Sequence, residues 1–330
     1  MSRYRCQVPR ATRCIAYCIT RCITRCITRC LASAFSYFLP RFLALGLILS
    51  ATTSTALADT LQKIASSGRV TLGYRESSVP FSYLAGPRQP IGFGVDIYTH
   101  LIPALKRATG RNDLELSWQA LTSQNRIPLI ANGTVDLECG STSNTIARAK
   151  TVAFAINYFY TGPKLLVKQG SIVKDFNDLA GKTVAVTTGT TTMKLLRKLD
   201  LERSMNMQLL PGKDHADSFL LVDAGRAVAF AMDDILLYGQ ILNAKQPAQW
   251  QVVGTPPQVE PYACMLRKDD PDFKRLVDSV ITDLMRSGEF ERIYAKWFLS
   301  PIPPRGRSLN LPMSNALRDN LRKLSDQPAS

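Results

Sequence analysis

Arginine and hydroxyl side chains recur in segments that follow strand-like runs of the chain. A guanidinium flanked by hydroxyls is suited to hold a carboxylate or a phosphate through charge-assisted hydrogen bonds. Serine and threonine are equally suited to cap the free amides at the start of a helix, so ECGSTSNTIARAK fits both interpretations. The candidates of this kind are Arg75 in GYRESSVPFSY, Ser123 and Arg126 in LTSQNRIP, and Ser141, Ser143 and Arg148 in CGSTSNTIARAK.

Three further features extend this set. TTGTTTMK places threonines at a strand–helix junction, where free amides and the positive end of the helix dipole attract an anion. It is not a P-loop, because the Gly-Lys-Ser/Thr ending is missing. His215 begins a predicted helix, and Asp233 ends the strand-like AVAFAMD. Each residue alone fits an ordinary surface or capping role, so the prediction of a site depends on their joint placement.

These residues are positioned by an alternation of strands and helices that begins at Asp59. RVTLGYR, LELSWQAL and VDLEC are strand-like, NRIPLIANG is a short helix, and GVDIYTHLIPALKRATG is a helix closed by Gly110. The alternation resumes through KTVAVTTG, TTTMKLLRKLD, MQLLPG, HADSFLLVDAG, AVAFAMD and DILLYGQILNA. YACML is a further strand, and one or two helices follow, with Asp270 as N-cap and Pro271 at the first helical position. The pattern predicts an α/β fold with mostly parallel sheets.

Two passages have the character of linkers, YFYTGPK around 158–164 and VGTPPQVEPY around 253–262. If both join the same two lobes, residues 160–255 form one lobe, and residues 59–159 and 256–330 form the other. Two crossings make a hinge, and a ligand can be enclosed between the lobes. Ligands of such sheets bind beyond the carboxyl ends of the strands, where the candidate residues lie.

The net charge of +15 is concentrated in the first 58 residues. They carry eight of the 41 basic residues and no acidic one, which leaves 33 basic and 26 acidic residues, or +7, for the remainder. A mildly basic chain with no basic cluster interleaved with aromatic residues does not have the pattern of a nucleic-acid-binding protein.

The end of this N-terminal segment of 58 residues, called the head below, has the layout of a secretory signal peptide. RFLALGLILSATTSTALA combines a positive residue, an apolar run from Phe42 to Leu49 and a small-residue ending, which predicts cleavage after Ala58. The alternative is an uncleaved anchor, although the apolar run is short for a bilayer. No later apolar run has spanning length, so we expect a mature chain that is exported and soluble. Upstream, RCITRCITRCITRC is interpreted as a low-complexity extension or an early start codon rather than a soft-metal site.

Two of the eight cysteines, Cys139 and Cys264, lie outside the head. An even pair in an exported protein favours a disulfide, which would make two segments 125 positions apart neighbours in space. Two separate buried thiols are the alternative. With His100 in a predicted helix and His215 the only other histidine, a His-rich metal site is excluded, and no G-x-S-x-G elbow is present.

Several motifs resemble one known family, the glutamate/aspartate-binding proteins of bacterial ABC importers. They are RESSVPFSY, SQNRIPL, DLECGSTSN, DDILL, VGTPP and KWFLSPIPP, and the resemblance extends from about residue 60 to about residue 315. It implies the periplasmic-binding-protein-like fold of type II, with two α/β lobes joined by two hinge strands. It also implies a monomeric periplasmic protein without a cofactor, which binds L-glutamate or L-aspartate and delivers it to a membrane permease.

The resemblance further implies a role for each candidate residue. Arg148 would pair with the ligand α-carboxylate, helped by Ser143 and Thr191, and Asp233 would take the α-ammonium, with Ser141 as a further acceptor. The family usually has threonine at the position of Ser143, so the hydroxyl is kept and a methyl is lost. The family also pairs the two cysteines. The side-chain carboxylate would be surrounded by Arg75, Ser123, Arg126 and His215.

The charges of this set complement a dicarboxylic amino acid, which carries two negative charges and one positive charge at neutral pH. An uncharged side chain would leave Arg75 and Arg126 facing each other without an anion, so glutamate and aspartate should bind well above glutamine or asparagine. His215 beside a carboxylate should hold its proton more tightly than usual. An exported cyclohexadienyl or prephenate dehydratase-like enzyme on the same fold is the alternative function. A sensory module is a third possibility, although no signalling domain is evident.

Overall fold

The computed structural model describes residues 59–87 and 89–329. The predicted signal peptide and the Arg-Cys-Ile-Thr repeat lie outside this part of the chain. The helices are α1 (Thr60–Ser67), α2 (Phe93–Thr109), α3 (Arg126–Ala131), α4 (Ile146–Ala149), α5 (Thr191–Arg203), α6 (His215–Asp223), α7 (Asp234–Asn243), α8 (Pro271–Ser287), α9 (Glu289–Tyr294) and α10 (Asn315–Lys323). The strands are β1 (Arg69–Tyr74), β2 (Ser77–Ser78), β3 (Ser82–Leu84), β4 (Pro90–Ile91), β5 (Glu115–Ala120), β6 (Leu137–Glu138), β7 (Val152–Thr161), β8 (Pro163–Lys168), β9 (Thr183–Thr187), β10 (Gln208–Gly212), β11 (Ala229–Asp233), β12 (Trp250–Val253) and β13 (Glu260–Arg267).

Two five-stranded sheets form the centres of two lobes. The first sheet has the order β5-β1-β6-β13-β7, and the second has the order β10-β9-β11-β8-β12. Both are mixed, because β13 pairs antiparallel with β6 and β7, and β8 pairs antiparallel with β11 and β12. The expectation of mostly parallel sheets is confirmed for the strand directions, since four of the five strands in each sheet run the same way, and β13 and β8 are the reversed strands. A short strand pair cannot be assigned a direction from periodicity alone, since parallel and antiparallel strands share a two-residue repeat.

The chain passes between the two sheets at two points. β7 of the first sheet is followed after Gly162 by β8 of the second sheet, and β12 of the second sheet leads through residues 254–259 into β13 of the first. The two crossings lie side by side, since a Cβ on Gly162 would lie 2.7 Å from the Gln258 carbonyl oxygen. These crossings fall in the two passages with linker character.

Both faces of the second sheet are buried, which explains the near-continuous apolar runs of its strands. In β9, Val184 and Val186 pack into one hydrophobic cluster, and Ala185 between them packs into the other. Successive side chains of a strand point to opposite faces, so a strand that is covered on both faces has no polar face. This layering leaves the strand ends, rather than the strand faces, as the places where polar side chains can collect.

The helix boundaries follow the capping residues. Gly110 ends α2 in the left-handed conformation at φ 68°, as the sequence predicts. Asp270 caps α8 by accepting from the backbone N–H of Phe273, and Pro271 is the first helical residue. Gly288, at φ 80°, separates α8 from α9, so the terminal segment is two helices. No helix in residues 59–87 or 89–329 has the length and apolar character to cross a membrane.

The predicted disulfide is present between Cys139 and Cys264, and it joins the end of β6 to β13 in the first sheet. Both cysteines are buried, and 125 positions separate them in the chain. Replacing both by alanine should lower the free energy of unfolding by about 2–5 kcal/mol, because the unfolded chain regains the freedom of a long closed loop. Denaturant titration of the double variant and of the oxidised wild type measures this difference. Equal midpoints and slopes would contradict it.

Candidate functional site

The nine candidate residues all lie at strand ends, at helix starts, or in the loops between them. They come from both lobes, and all are buried except Thr191, which is half-buried. Their positions are Arg75 after β1, Ser123 after β5, Arg126 at the start of α3, Ser141 and Ser143 after β6, Arg148 within α4, Thr191 at the start of α5, His215 at the start of α6, and Asp233 at the end of β11.

Arg75 occupies the first of these strand ends and is 1% exposed. Its Nη2 donates to Ser123 Oγ at 2.7 Å, while its backbone N–H donates to Ser82 Oγ at 2.8 Å. Burial, followed by the nearby charge of Arg126, lowers the pKa of Arg75 to about 9. A guanidinium in this environment gains from any anion that comes within reach.

Arg126 connects α3 to the loop after β6. Its Nη1 donates to the Ser141 carbonyl oxygen at 2.9 Å and to Thr142 Oγ1 at 2.6 Å. The Ser141 hydroxyl donates in turn to Ser78 Oγ at 3.1 Å, which ties this loop to β2. Arg75 and Arg126 are thus held by separate elements of the same lobe.

Arg148 faces the second lobe from α4. Its Nη1 donates to the Ser143 carbonyl oxygen at 2.9 Å, and its Nη2 donates to the Gly189 carbonyl oxygen of the other lobe at 3.4 Å. Burial lowers the pKa of Arg148 to about 10, with Arg126 as the second cause. The cap of α4 is Thr145, whose hydroxyl accepts from the Arg148 backbone N–H. The hydroxyls of Ser141 and Ser143 are therefore not needed for capping.

The threonine-rich junction of the second lobe lies directly opposite this loop. Thr190 is the N-cap of α5, and Thr191 Oγ1 lies 3.5 Å from Ser143 Oγ across the lobe boundary. Gly189 permits the close approach: it adopts φ 81°, and a Cβ there would lie 2.6 Å from the Gln124 Cα of the first lobe. Only glycine fits this position without moving one lobe away from the other.

Asp233 supplies a carboxylate on the second-lobe side. It accepts from Thr192 Oγ1 at 3.2 Å and from the Tyr262 hydroxyl, which lies on β13. Burial, followed by the nearby charge of Glu260, raises the pKa of Asp233 to about 8, against the lowering effect of the Tyr262 hydrogen bond. A cation placed here would favour the charged form of this group.

His215 is 1% exposed, and its backbone N–H donates to Ser77 Oγ of the other lobe at 3.2 Å. Its Nδ1 lies 3.0 Å from Thr187 Oγ1, and its Nε2 has no hydrogen-bond partner among the described residues. Burial, and then the charges of Arg75 and Arg126, lower the pKa of His215 well below its ordinary value. The sequence-based expectation that His215 holds its proton tightly assumes a carboxylate beside the ring. The charged protein groups that act on the ring are instead Arg75 and Arg126, which disfavour its protonated form.

Two buried acids, Glu138 and Glu260, were missed by sequence reasoning. Glu138 is fully buried at the end of β6 and accepts from Thr142 Oγ1 at 2.6 Å. Glu260 is fully buried at the start of β13, where it accepts from Thr191 Oγ1 at 2.7 Å. The available signals were an acid at the end of an apolar strand in VDLEC and an acid inside a proline-rich linker in QVEPY. The site therefore contains three buried acids as well as three buried arginines.

The C-terminal residues hold the loop that carries Ser143 and Arg148. The Ala329 backbone N–H donates to the Asn144 carbonyl oxygen at 2.9 Å, and the Ile146 N–H donates to the Ala329 carbonyl oxygen at 3.2 Å. The buried Asn144 side chain also donates to the Asp326 carbonyl oxygen at 2.7 Å. An isolated parallel β-bridge between Thr145 and Ala329 thus ties this loop to the C-terminal segment.

An open cavity of about 230 Å³ reaches the site from outside, and Arg148 and Thr191 are among its lining residues. A larger cavity of about 510 Å³, beside α6 and α7, includes none of the nine candidates. Within residues 59–87 and 89–329, no group of three or more His, Cys, Asp or Glu side chains is arranged to hold a metal ion.

The chain folds into two mixed β-sheets flanked by helices, and it crosses between them twice. This architecture defines a type II periplasmic-binding-protein fold, and charged groups collect where its two lobes meet. The profile of the bacterial extracellular solute-binding proteins, family 3, matches residues 70–300, and the chain belongs to that family.

Curated relatives and a solved structure agree with this membership. The L-glutamate/L-aspartate-binding protein of Pseudomonas aeruginosa is 44% identical over 295 residues, which is 88% of this chain and 98% of the relative. The glutamate/aspartate import solute-binding protein of Escherichia coli is 45% identical over 285 residues, which is 86% of this chain and 94% of the relative. A mutant of ArgBP from T. maritima superposes with a TM-score of 0.64 at 26% identity, covering 72% of this chain and 98% of that one. All three are binding proteins, which supports a non-enzymatic role.

Proposed function

We propose that this protein captures L-glutamate and L-aspartate between its lobes and delivers them to the membrane permease of an ABC importer. The observation that carries the proposal is a set of three buried guanidiniums and one buried carboxylate, Asp233, on strand ends and loops of the two lobes, with Arg148 reaching across to Gly189 and lying within reach of the Asp233 charge. The names of the curated relatives support the same ligands. The protein would act as a monomer in the periplasm, after removal of residues 1–58.

The proposed lobes are residues 59–159 with 256–330, and residues 160–255. In the proposed complex, Arg148, Ser143 and Thr191 hold the α-carboxylate, while Asp233 and Ser141 hold the α-ammonium. The side-chain carboxylate is held by Arg75, Arg126, Ser123 and His215. Ligand release requires the lobes to separate about the two crossings, because the site residues are buried when the lobes touch.

This assignment is consistent with the affinity of a nutrient-capturing protein. Hydrogen bonds to charged groups each contribute roughly 1.5–3 kcal/mol. Four or five of them, after the costs of ordering the ligand and the lobes, correspond to about micromolar binding or tighter, near 8 kcal/mol.

A thermal-shift panel of the twenty amino acids tests the proposal. We expect glutamate and aspartate to raise the unfolding temperature most, since a ligand that binds only the folded protein stabilises it by mass action. A prephenate turnover assay on the same preparation tests the enzyme alternative, for which we expect no product. No shift with either acidic amino acid would exclude the proposed ligands.

Ligand binding should release protons near pH 7, because of Asp233. Its pKa of about 8 lies above the ordinary value of 3.8, so the folded protein carries a proton there at pH 7. The ligand ammonium favours the charged carboxylate and displaces that proton, whereas His215, with its lowered pKa, is already neutral. Affinity should therefore rise with pH from about 4 to about 8 and then level off.

Calorimetric titration in two buffers of different ionisation enthalpy measures the number of protons released. The same raised pKa predicts that the contribution of Asp233 to folding stability is complete below about pH 4 and is lost as the pH rises through 8. The Asp233→Asn variant should release about one proton fewer than wild type at pH 7, and equal proton release by the two would contradict the role of Asp233 as the ammonium partner.

A further inference from the structure

Glu138 is a carboxylate enclosed between the two arginines assigned to the ligand side chain. It is 0% exposed, and it ends β6, which lies between β1 and β13 in the first sheet. Its Oε2 accepts from Thr142 Oγ1 at 2.6 Å, and the same Thr142 oxygen accepts from Arg126 Nη1 at 2.6 Å. A continuous hydrogen-bonded path therefore joins Arg126 to Glu138 through one hydroxyl.

The other oxygen of Glu138 lies on the side of Arg75. A Cβ on Gly140 would lie 2.2 Å from Glu138 Oε1 and 3.4 Å from Arg75 Cγ, so the carboxylate and the arginine stem flank the same glycine. Glu138 Oε1 has no hydrogen-bond partner in residues 59–87 and 89–329. A side chain at position 140 would therefore displace the Glu138 carboxylate from its place beside Arg75.

Arg75, Arg126 and Arg148 make no direct ion pair within the part of the chain that the structure describes, so the negative charges near them act without a salt bridge. Placing Arg75 and Arg126 together in a buried site is unfavourable unless a negative charge lies nearby. The charge of Glu138 favours the protonated form of both Arg75 and Arg148 and opposes the effect of burial. Of the three buried acids, Glu138 is the one linked to Arg126.

We propose that Glu138 is the resident counter-charge of Arg75 and Arg126, a positioning residue that sets how strongly this pair attracts an anionic ligand side chain. With Glu138 charged, the three groups sum to one positive charge, which a single ligand carboxylate neutralises. The proposal rests on the proposed function, since it concerns the same subsite. A counter-charge at Glu138 explains why Arg75 and Arg126 can lie together in a buried site without ligand. It also explains why they select a ligand side chain with one negative charge.

The test is the ratio of the glutamine and glutamate dissociation constants in the Glu138→Gln variant. Glutamine keeps the shape and can still accept from Thr142, but it removes the negative charge. We expect the ratio of the glutamine to the glutamate dissociation constant to be about tenfold higher in the variant than in wild type. We also expect the ligand-free variant to unfold at a lower temperature than ligand-free wild type. An unchanged or smaller ratio would overturn the proposal, because a purely structural role would affect both ligands alike.

Asp136→Asn is the matched control. Asp136 is also a buried acid, two residues earlier, but it pairs with Lys63 at 2.7 Å just before the start of β6, at the opposite end of the strand from Glu138. Its loss should lower stability without changing the ratio. If Glu138→Gln does not fold, Thr142→Val breaks the path between Glu138 and Arg126 instead, and its ratio should also rise; an unchanged or smaller ratio there would equally overturn the proposal.

The wild type is titrated with both ligands in parallel. If wild type shows no preference for glutamate, the proposed function fails. If wild type prefers glutamate and Glu138→Gln leaves the ratio unchanged, only the inference about Glu138 fails.

Discussion

Replacing Arg148 by glutamine is expected to weaken the binding of glutamate and of glutamine alike, by about 100-fold or more. Both ligands share the α-carboxylate that Arg148 is proposed to hold, so the loss should not depend on the side chain. Truncating one partner of a buried, hydrogen-bonded charge pair costs about 2–5 kcal/mol, and 1.4 kcal/mol is a factor of ten. Isothermal titration of the variant with both ligands measures the effect.

Arg69→Gln is a suitable control for this variant. Arg69 is an exposed arginine that pairs with Glu115 at 2.9 Å outside the site, and exposed ion pairs contribute little. We expect its affinities to match those of wild type. A loss confined to glutamate in Arg148→Gln would show that Arg148 belongs to the side-chain subsite, and the assignment of the α-carboxylate would be wrong.

Replacing Arg75 by glutamine is expected to abolish most of the discrimination between glutamate and glutamine. Arg75 is fully buried and donates to Ser123, and its Nη1 has no partner among the described residues. Losing one charged hydrogen bond to the ligand side chain should weaken glutamate binding roughly 10- to 100-fold. Glutamine should bind as before or slightly better, because its neutral amide no longer faces an unpaired guanidinium.

Competition titration with both ligands checks this outcome, with Arg69→Gln again as the control. Equal losses for glutamate and glutamine would mean that Arg75 supports the fold of the site rather than its selectivity. Together, the Arg148 and Arg75 variants separate recognition of the amino-acid backbone from recognition of its side chain.

Much of the local structure could be predicted from the sequence, because caps and periodicity act over short distances. The α2 helix and its Gly110 end, the Asp270–Pro271 start of α8 and the strand β9 all lie where these patterns place them. The Cys139–Cys264 bond was also predicted, since an exported chain with two remaining cysteines favours pairing. Both sheet crossings fall in passages with the composition of linkers.

The direction of strand pairing and the buried acids could not be predicted in the same way. The antiparallel position of β13 depends on contacts between segments more than one hundred residues apart, which a two-residue repeat does not encode. Glu138 and Glu260 look like surface acids in a sequence, because acidic residues are rarely fully buried unless they are paired. In the structure each buried carboxylate accepts a hydrogen bond from a threonine, Glu138 from Thr142 and Glu260 from Thr191. The sequence does not show that these threonines lie beside the acids.

The role of the C-terminal segment was missed for a related reason. The amino-acid sequence around Ala329 does not indicate that its backbone forms hydrogen bonds with Asn144 and Ile146, which lie 183–185 positions earlier in the chain. Backbone hydrogen bonds of this kind depend on the folded path of the chain and not on side-chain identity.

The central claim is that buried positive charge at the lobe boundary selects a ligand with an acidic side chain. Isothermal titration of residues 59–330 with glutamate and with glutamine, at the same pH and ionic strength, measures that selection directly. We predict that glutamate binds with about micromolar affinity or tighter, and at least roughly tenfold more tightly than glutamine. Equal affinity for the two would contradict the assignment of Arg75 and Arg126 to the side-chain carboxylate.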